Sequence, residues 1–242
     1  MPKSSLPRFR RVILKISGES FCKPGAFGID PDELGLIAEE IASACGQGAQ
    51  VAVVVGGGNI IRGASLAEGG RIDQATADSM GMLGTVINGL ALKEALQSLN
   101  RDARVLSAIA LPAVAEPFIR ARAHRHLEKG RVVILVAGTG NPFFTTDTAA
   151  SLRAIELKAD IVLKATKVDG VYTADPRKDP TATRYDRITF AEAIERQLGV
   201  MDLTALTMCM EHEVPVCVFN FRTKGNIARV IGGEREGTLV TV

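Results

Sequence analysis

Residues 51–59 read VAVVVGGGN, an apolar run that ends in three glycines and an asparagine. A short run of apolar residues without polar alternation is typical of a strand that is buried on both faces. Strand-like runs recur at residues 12–16, 105–109, 132–137, 161–165, 216–219 and 238–242, mostly with helical spacing between them. Strands that alternate with helices predict a three-layer α/β/α sandwich with a mainly parallel central sheet, here as one domain over residues 1–242.

Polar capping residues predict where helices begin. Asp30 and Glu33 have the spacing of a capping box, and Thr189 and Glu192 repeat it. Asp202 is expected to cap a further helix. Other helices are predicted over residues 75–97 and 117–127 and from 145–147 to 157, with a short hairpin within 169–180.

The segment Ser79–Leu92 carries no charge and contains four residues that are glycine or asparagine. It is too short to span a membrane, which needs roughly 20 apolar residues. We expect a helix that is buried on most of its surface, either in the core or against a second subunit. The sequence alone does not separate these two.

The composition argues against several functional classes. A formal net charge of +2 gives no overall basic field, so no nucleic-acid partner is expected, and no membrane partner is expected either. The four cysteines lack C-x-x-C spacing, which argues against a structural zinc. Reduced thiols in a cytoplasmic protein are the natural interpretation.

Glycine-rich segments follow the predicted strands that end at Ile16, Val55 and Ala137. In parallel sheets, ligands bind just beyond the carboxyl ends of the strands. Neither G-x-x-x-x-G-K-[ST] nor a complete G-x-G-x-x-G occurs, which argues against a P-loop and a standard dinucleotide fingerprint. A ligand site of another type is therefore expected at this edge of the sheet.

Two of these segments suit phosphate. Lys15, followed by Ser17-Gly18, offers an ammonium and backbone N–H groups to one anion. In Gly56–Asn59 the glycines let the backbone approach a ligand without Cβ clashes, and Arg62, next to Gly63, can clamp phosphate. The plainer alternatives are a surface lysine before a turn and a flexible turn.

The string TGNPFFTTD at Thr139–Asp147 precedes a predicted helix. Its amide and hydroxyl groups can bind a base while the helix N–H groups bind phosphate, which suits a nucleoside monophosphate. The alternative is a capped loop, and in either case one of Phe143 and Phe144 is expected in the core.

The string KATKVDGVYTADP at Lys164–Pro176 suits the other nucleotide. Tyr172 can stack on a purine, Thr166 and Asp175 can bond its edge or the ribose, and Lys164 can reach phosphates. As bare composition, the alternative is a polar hairpin.

Together these strings resemble the amino acid kinase family, and most closely its bacterial uridylate kinases. Val200–Leu203 adds to a likeness that spans almost the whole chain. TGNPFFTTD is highly specific, whereas the glycine loops are shared with acetylglutamate, aspartate and carbamate kinases. The resemblance implies reversible transfer of the ATP γ-phosphate to UMP, giving UDP and ADP, in pyrimidine nucleotide biosynthesis. It also implies Mg²⁺ carried by ATP, inhibition by UTP, and a homo-oligomer that we expect to be a hexamer.

The resemblance further implies residue roles. ATP binding is implied for Lys15, Ile16, Ser17, Gly18, Gly58, Arg62, Thr166, Tyr172 and Asp175. UMP binding is implied for Gly57, Asp78, Thr139, Gly140, Asn141, Pro142, Phe143, Phe144, Thr145 and Thr146, with Asp78 on the ribose hydroxyls. No metal held by the protein alone is expected.

The chemistry needs no general base, because a phosphate with a second pKa of about 6 is already an anion near neutral pH. The protein must align two polyanions and neutralise their repulsion. Lys15, Arg62 and Lys164 are expected to supply positive charge. Asp147 and Asp202 are expected either to orient Lys15 or a metal-bound water, or to act as helix caps.

Three other functions compete with this one. A kinase of the same fold with a carboxylate acceptor would not need the base- and ribose-binding groups of TGNPFFTTD. A non-catalytic protein that binds nucleotides or oxyanions would not need both Lys15 and Asp147. A nicotinamide-dependent oxidoreductase is disfavoured by the missing fingerprint.

Overall fold

The computed structural model of this chain describes residues 8–62, 66–67, 70–176 and 178–242. Strands in these residues are β1 (Arg11–Ile16), β2 (Gln50–Val55), β3 (Ala103–Ser107), β4 (Glu116–Pro117), β5 (Val132–Val136), β6 (Ile161–Thr166), β7 (Arg187–Thr189), β8 (Val216–Asn220) and β9 (Thr238–Thr241). They form one sheet in the order β4-β3-β5-β2-β1-β6-β8-β9-β7. Among the strand pairs of this sheet in the described residues, only β8 and β9 are antiparallel, so the predicted mainly parallel sheet is confirmed.

Helices cover both faces of this sheet. They are α1 (Pro31–Gly46), α2 (Gln74–Ser98), α3 (Arg120–Glu128), α4 (Thr146–Leu157), α5 (Phe190–Glu195), α6 (Leu203–Glu211) and α7 (Asn226–Gly232). Buried side chains of α1, α2 and α7 pack in one apolar cluster with one face of the sheet. Those of α3, α4, α5 and α6 pack in a second cluster against the other face. The two clusters are the two interfaces of the predicted three-layer sandwich.

The alternation of side chains along β1 decides where its lysine lies. Leu14 and Ile16 belong to the cluster with α1, whereas Ile13 belongs to the cluster with α4. Because successive residues of a strand face opposite sides, Lys15 shares the face of Ile13. The lysine is therefore on the side of the sheet that α4 covers.

The capping box predicted at Asp30 is only half right. The Asp30 carboxylate accepts from the backbone N–H groups of Asp32 and Glu33, as an N-cap does. However, the Asp30 N–H donates to the Phe21 carbonyl, and the Glu33 carboxylate pairs with Arg222 at 2.9 Å. The reciprocal bond is absent among the described contacts because both of its groups have tertiary partners.

The boundaries predicted near the other caps also need correction. Thr189 caps α5 by accepting from the Glu192 N–H, but the Glu192 carboxylate pairs with Arg196 at 3.0 Å instead of completing a box. The helix predicted over residues 117–127 begins at Arg120, because Glu116–Pro117 forms a short strand beside β3. Pro117 favours extended backbone in the residue before it, which suits that strand.

Candidate active site

The loops after β5, β2, β1 and β6 come together at one edge of the sheet. These four strands are consecutive neighbours and run parallel, so their carboxyl ends lie side by side. The glycine-rich segments after Ile16, Val55 and Ala137 all follow strands of this group. The sequence therefore placed them correctly at a common edge.

Lys15, Lys164 and Asp147 form a nearly buried charged group at this edge. Lys15 and Lys164 are register partners in the adjacent strands β1 and β6, so their side chains share one face. Asp147, in the first turn of α4, lies between them. Its Oδ1 is 2.8 Å from the Lys15 Nζ, and its Oδ2 accepts a hydrogen bond of 2.7 Å from the Lys164 Nζ. One carboxylate thus pairs with two ammonium groups and offsets only one of their two charges.

Burial and charge act against each other in this group. Burial disfavours the ionised Asp147 carboxylate, but attraction to Lys15 and Lys164 is stronger in sum, and the pKa of Asp147 lies below its ordinary value. For Lys164, burial dominates and repulsion by Lys15 adds to it, so that its pKa is lowered despite the attraction of Asp147. The Lys164 Nζ also donates to the Val200 carbonyl at 2.5 Å. The group is therefore held in one arrangement by both charge and hydrogen bonds.

The two oxygens of Asp147 differ in how they are held, because only Oδ2 accepts a hydrogen bond from a lysine. Although the Lys15 Nζ is at ion-pair distance from Oδ1, its direction is not that of a hydrogen bond, and this buried oxygen has no hydrogen-bond donor among the described residues. Buried polar atoms normally have a partner. The Lys15 ammonium is therefore the charge partner of this oxygen, and a ligand or water that reached it would supply the missing hydrogen bond.

Asp202 is a helix cap, which is one of the two roles that the sequence predicted for it. It caps α6 by accepting from the Ala205 N–H. The same carboxylate accepts from the hydroxyls of Thr145 at 2.5 Å and Thr148 at 3.1 Å. Because Thr145 in turn caps α4, Asp202 connects the starts of the two helices and holds the helix that carries Asp147.

The glycines of the second loop pack mainly against protein. A Cβ on Gly56 would lie 2.5 Å from the Gly18 nitrogen, and one on Gly57 would lie 2.6 Å from the Gly81 carbonyl oxygen in α2. Only Gly58 of this trio has no heavy atom of the described chain within 4 Å of such a Cβ. The expectation that all three spare a ligand from Cβ clashes is therefore replaced: contact with the β1 loop and with α2 requires Gly56 and Gly57, and Gly58 alone faces open space.

Alanine substitutions should separate these two kinds of glycine. We expect Gly58→Ala to fold normally but to weaken nucleotide binding by about 1–2 kcal/mol, roughly tenfold in KM, because its methyl group enters the open space. Gly57→Ala should instead lower the melting temperature. Gly35→Ala, whose Cβ in α1 also meets nothing within 4 Å, is the matched control and should leave KM unchanged. An unchanged KM in Gly58→Ala would show that the open space is not a nucleotide site.

A cleft opens between this loop, α2 and the loop after β5. It is lined by Gly57, Gly58, Ile61, Asp78, Gly81, Met82, Thr85, Gly138, Thr139, Asn141, Phe144, Thr145 and Thr146. Seven of the ten residues predicted to bind UMP, all but Gly140, Pro142 and Phe143, belong to this lining. The lining mixes hydroxyls, amides, a carboxylate and apolar surface, which is the chemistry of a site for a polar organic ligand.

Asp78 and Phe143 determine the shape of this cleft. The Asp78 Oδ2 accepts from the Phe143 backbone N–H at 2.8 Å, while Oδ1 accepts from the Gln74 side chain. Phe143 has a φ of +68° and its side chain is 72% exposed, while Phe144 is 50% exposed. The expectation that one of these phenylalanines lies in the core is wrong, because the bond to Asp78 holds the turn away from the apolar layers.

Arg62 lies at the outer side of the glycine loop. Its guanidinium pairs with Glu19 at 2.6 Å, and both side chains are about half exposed. An exposed pair of this kind is weak, so an incoming phosphate can replace the carboxylate. Gly63, named beside it in the sequence, lies outside the described residues.

The segment after β6 carries the residues predicted at the adenosine end. The Thr166 hydroxyl, at the end of β6, donates to the Val168 carbonyl and accepts from the Val168 N–H. Tyr172 forms an antiparallel bridge with Arg184, so the hairpin extends beyond the predicted residues 169–180. The Tyr172 hydroxyl donates to Asp169, and this hydrogen bond raises the pKa of Tyr172. Asp175 lies on the exposed part of the same segment.

Several groups of the site were missed by sequence reasoning. These are the Glu19 partner of Arg62, the Thr148 partner of Asp202, the Val200 carbonyl on Lys164, and Asn88 behind the glycine loop. The first three are tertiary contacts across the fold and have no local signal. Asn88 did have one, because a buried amide within the charge-free stretch Ser79–Leu92 calls for a partner.

Neither a metal cluster nor a membrane helix occurs in the described part of the chain. No group of three or more His, Cys, Asp or Glu side chains there could hold a metal ion. No helix within residues 8–62, 66–67, 70–176 and 178–242 has the length and apolar character needed to cross a membrane.

The fold and this site define a class of enzyme. Glycine loops, a lysine pair and a helix N-terminus lie together at one edge of a parallel sheet. These are groups that bind phosphate and stabilise the charge that develops during its transfer. The model of the amino acid kinase family matches residues 10–220 of the chain. The chain therefore belongs to the amino acid kinase family, and the predicted phosphotransferase class is confirmed.

Within this family, the chain is similar to uridylate kinases over its full length. It is 53% identical over 242 residues to the uridylate kinase of Marinobacter nauticus, covering 99% of this chain and 100% of the relative. It is also 53% identical to that of Pseudomonas putida, covering 97% and 94%. The crystal structure of UMP kinase from Bacillus anthracis superposes with a TM-score of 0.93 at 41% identity, covering 96% of each chain. The resemblance to bacterial uridylate kinases is thus confirmed.

Proposed function

We propose that this chain is a uridylate kinase that transfers the γ-phosphate of ATP to UMP and forms UDP and ADP. The single observation that carries the proposal is the Lys15–Asp147–Lys164 group, in which Asp147 follows directly on Thr145 and Thr146 of the cleft lining. We take this group as the meeting point of two half-sites. One half-site is the cleft beside Asp78, and the other is the edge of β1 and β6. Full-length similarity to uridylate kinases supports the choice of acceptor.

The cleft holds UMP in this proposal. Asp78 has acceptor oxygens for the ribose hydroxyls, and the loop from Thr139 to Thr146 supplies hydroxyl and amide groups for the base. The N-terminus of α4 begins at the end of that loop, so the positive end of its dipole attracts the UMP phosphate. This places the acceptor phosphate at the turn of helix that carries Asp147.

ATP occupies the other side of the same edge. The backbone of Ser17-Gly18 and Gly58 meets its phosphates, and Thr166, Tyr172 and Asp175 hold the adenosine end. Lys15 and Lys164 lie between the two nucleotides and attract both phosphate groups. Their role is to neutralise the repulsion of two polyanions and the charge that develops on the transferring group.

Mg²⁺ fits this site as a companion of ATP. Mg²⁺ in kinases is held by one or two carboxylates together with substrate phosphates. Asp147, whose Oδ1 has no hydrogen-bond donor among the described residues, and Asp202, which accepts from the Thr145 and Thr148 hydroxyls, would supply such carboxylates. The described residues form no metal cage of protein groups alone. When bound with ATP, the ion supplies further neutralisation of phosphate charge.

The proposal is tested by measuring ADP release from Mg-ATP. UMP, CMP, dUMP, acetylglutamate and aspartate are offered in parallel as acceptors. We expect rapid turnover with UMP and little with the amino acids, because these use none of the groups around Asp78. Turnover with an amino acid would assign another acceptor to the same fold, and absence of turnover with every acceptor would favour a nucleotide-binding protein.

Inhibition by UTP, a cytoplasmic location and a single domain belong to the same proposal. UTP, which shares the uridine group, acts as an inhibitor, and the chain acts in the cytoplasm, where its four free thiols remain reduced. We further propose that residues 1–242 form one domain, since strands from Arg11 to Thr241 share one sheet.

We also propose that the chain is a homo-oligomer, with a hexamer as the expected form. Helix α2 buries Ala77, Val86, Leu92 and Leu96 in the core, but Leu83 and Ile87 are each 47% exposed on its other face. These two lie one turn apart and form an apolar patch. Because both side chains are exposed in a single chain, the core does not cover them. We therefore propose that a second subunit covers this patch.

Charging this patch should separate the subunits. We expect Leu83→Glu to lower the particle mass measured by light scattering, because a carboxylate cannot be buried unpaired in an apolar interface. Folding should persist, since Leu83 is half exposed in the isolated chain. Gln97→Glu, the same charge at an exposed position of α2, is the control and should leave the mass unchanged. An unchanged mass in Leu83→Glu would remove this helix from the interface.

A further inference from the structure

A closed pair of buried amides lies behind the glycine loop. Asn59, within the loop, and Asn88, in the middle of α2, are only 1% and 0% exposed. The Asn59 Nδ2 donates to the Asn88 Oδ1 at 3.0 Å, and the Asn88 Nδ2 donates to the Asn59 Oδ1 at 2.6 Å. The two side chains therefore bind each other reciprocally, away from any nucleotide.

The remaining amide hydrogens of the pair bind two loops. The Asn88 Nδ2 donates to the Gly56 carbonyl at 2.7 Å, and the Asn59 Nδ2 donates to the Gly28 carbonyl at 2.7 Å. Each amide thus uses both of its donors and its acceptor. A buried polar network in which every group is satisfied specifies one arrangement, whereas loss of one member leaves costly unpaired groups.

Helix α2 holds the next loop of the site in a similar way. The Thr85 hydroxyl, one turn before Asn88, accepts from the Ala137 N–H at 2.7 Å. Gly56 and Ala137 are the first residues beyond the adjacent strands β2 and β5. Asp78, on the same face of α2, accepts from the Phe143 N–H farther along that loop. One helix face therefore fixes the two loops that border the cleft.

We propose that Asn88 and Asn59 are positioning residues, which set the glycine loop against α2 at the spacing that phosphoryl transfer requires. This inference rests on the proposed uridylate kinase site. Both residues are buried, so they act through the backbone that they hold, at Gly56 in the glycine loop and at Gly28. A displacement of about 1 Å in aligned reactants can lower the rate about a hundredfold. Loop placement thus affects the transition state more than the binding of either nucleotide.

The first test measures kcat, and KM for each nucleotide with the other one saturating. The variants are Asn88→Ala, Asn88→Asp and Asn59→Ala. Asn88→Asp keeps the shape but loses both donors. We expect kcat to fall about tenfold to a hundredfold with smaller changes in KM. Because either alanine substitution breaks the pair, kcat of the Asn59→Ala/Asn88→Ala double variant should be only slightly below that of the single variants.

A matched control separates positioning from general stability. Leu96→Ala removes a fully buried side chain near the far end of α2 and should lower the melting temperature without changing kcat. If the asparagine variants also lose only thermal stability and retain the wild-type kcat, the proposal is wrong. Should Asn88→Ala not fold, Asn59→Ala tests the pair from the loop side.

Hydrogen exchange of the Gly56–Asn59 amides gives a readout that needs no turnover. We expect faster exchange in Asn88→Ala than in Leu96→Ala, because only the former releases the loop. Equal exchange in both would overturn the positioning role even if the kinetics change. Since this measurement does not depend on the acceptor, it also decides the proposal if UMP is not the substrate.

Discussion

Lys15→Ala should lower kcat for UMP phosphorylation by about 10²–10³-fold, the typical effect of removing one preorganised charge at a transition state. Lys15 lies one residue before the end of β1, beside Asp147, and its side chain is only 11% exposed. In such a site, water does not replace the lost charge. Since the effect concerns charge that develops during transfer, KM for either nucleotide should change less than kcat.

The folded state should survive this substitution. Asp147 keeps its hydrogen bond from Lys164, so no buried carboxylate is left without a partner. A melting curve checks this before the kinetics are compared. Lys129→Ala, at an exposed position just after α3 and at the opposite end of β5, is the control and should keep the wild-type kcat. A Lys15→Ala enzyme with normal kcat would show that phosphate transfer takes place elsewhere.

Asp147→Asn should lower the free energy of unfolding by about 3 kcal/mol, because breaking a buried ion pair leaves charge without compensation. Here two ammonium groups, those of Lys15 and Lys164, would face each other in adjacent strands with only a neutral amide between them. Urea unfolding measures the loss. Asp186→Asn, at a side chain that is 90% exposed, is the control and should have little effect. Equal stability of Asp147→Asn and wild type would mean that the Asp147 carboxyl group carries no charge in the folded chain.

The same substitution should change how stability depends on pH. The pKa of Asp147 is lowered in the folded chain, so its ionisation stabilises the fold above the unfolded-state pKa of about 4. That contribution is lost as the pH falls through the lower folded pKa. We therefore expect wild-type stability to decline in this acidic range, and the decline should be smaller in Asp147→Asn. An identical acid limb in both proteins would contradict the assignment.

At alkaline pH, Lys164 titrates, and its ionised form destabilises the fold, whereas the ionised form of Asp147 stabilises it. The pKa of Lys164 is lowered in the folded chain, chiefly by burial, so that its charged form opposes folding. This cost is complete below the folded pKa and disappears as the pH rises to the unfolded-state value of about 10.4. Without Asp147 the lysine pKa should fall further. The stability of Asp147→Asn should accordingly begin to rise at lower pH than that of the wild type.

Local patterns predicted most of the strands and helices, with errors where a tertiary partner intervenes. The apolar runs at residues 12–16 and 51–55 are β1 and β2 to within one residue, since a fully buried strand needs little beyond its own composition. The strand at Glu116–Pro117 was missed because two residues carry no periodicity. The capping box at Asp30 failed because Glu33 has a better partner in Arg222, which is remote in sequence.

For the site, residue types were predictable and their contacts were not. A lysine at a strand end, a glycine trio and TGNPFFTTD indicate phosphate and a nucleotide because their chemistry is local. The interpretation of Gly56 and Gly57 changed, since the atoms they approach belong to Gly18 and Gly81 in other segments. The roles of the individual site residues in binding and transfer stay predictions until the variants above are measured.

The sequence by itself determined that the sheet is mainly parallel, the edge at which the loops meet and the family, because these depend on composition, alternation and local strings. Tertiary structure decided that Lys15 and Lys164 are register partners with Asp147 between them. It also decided that Asn59 and Asn88 close on each other beneath the loop. Such contacts depend on strand register and helix placement, which arise from packing of the whole chain, and no short stretch of residues encodes them.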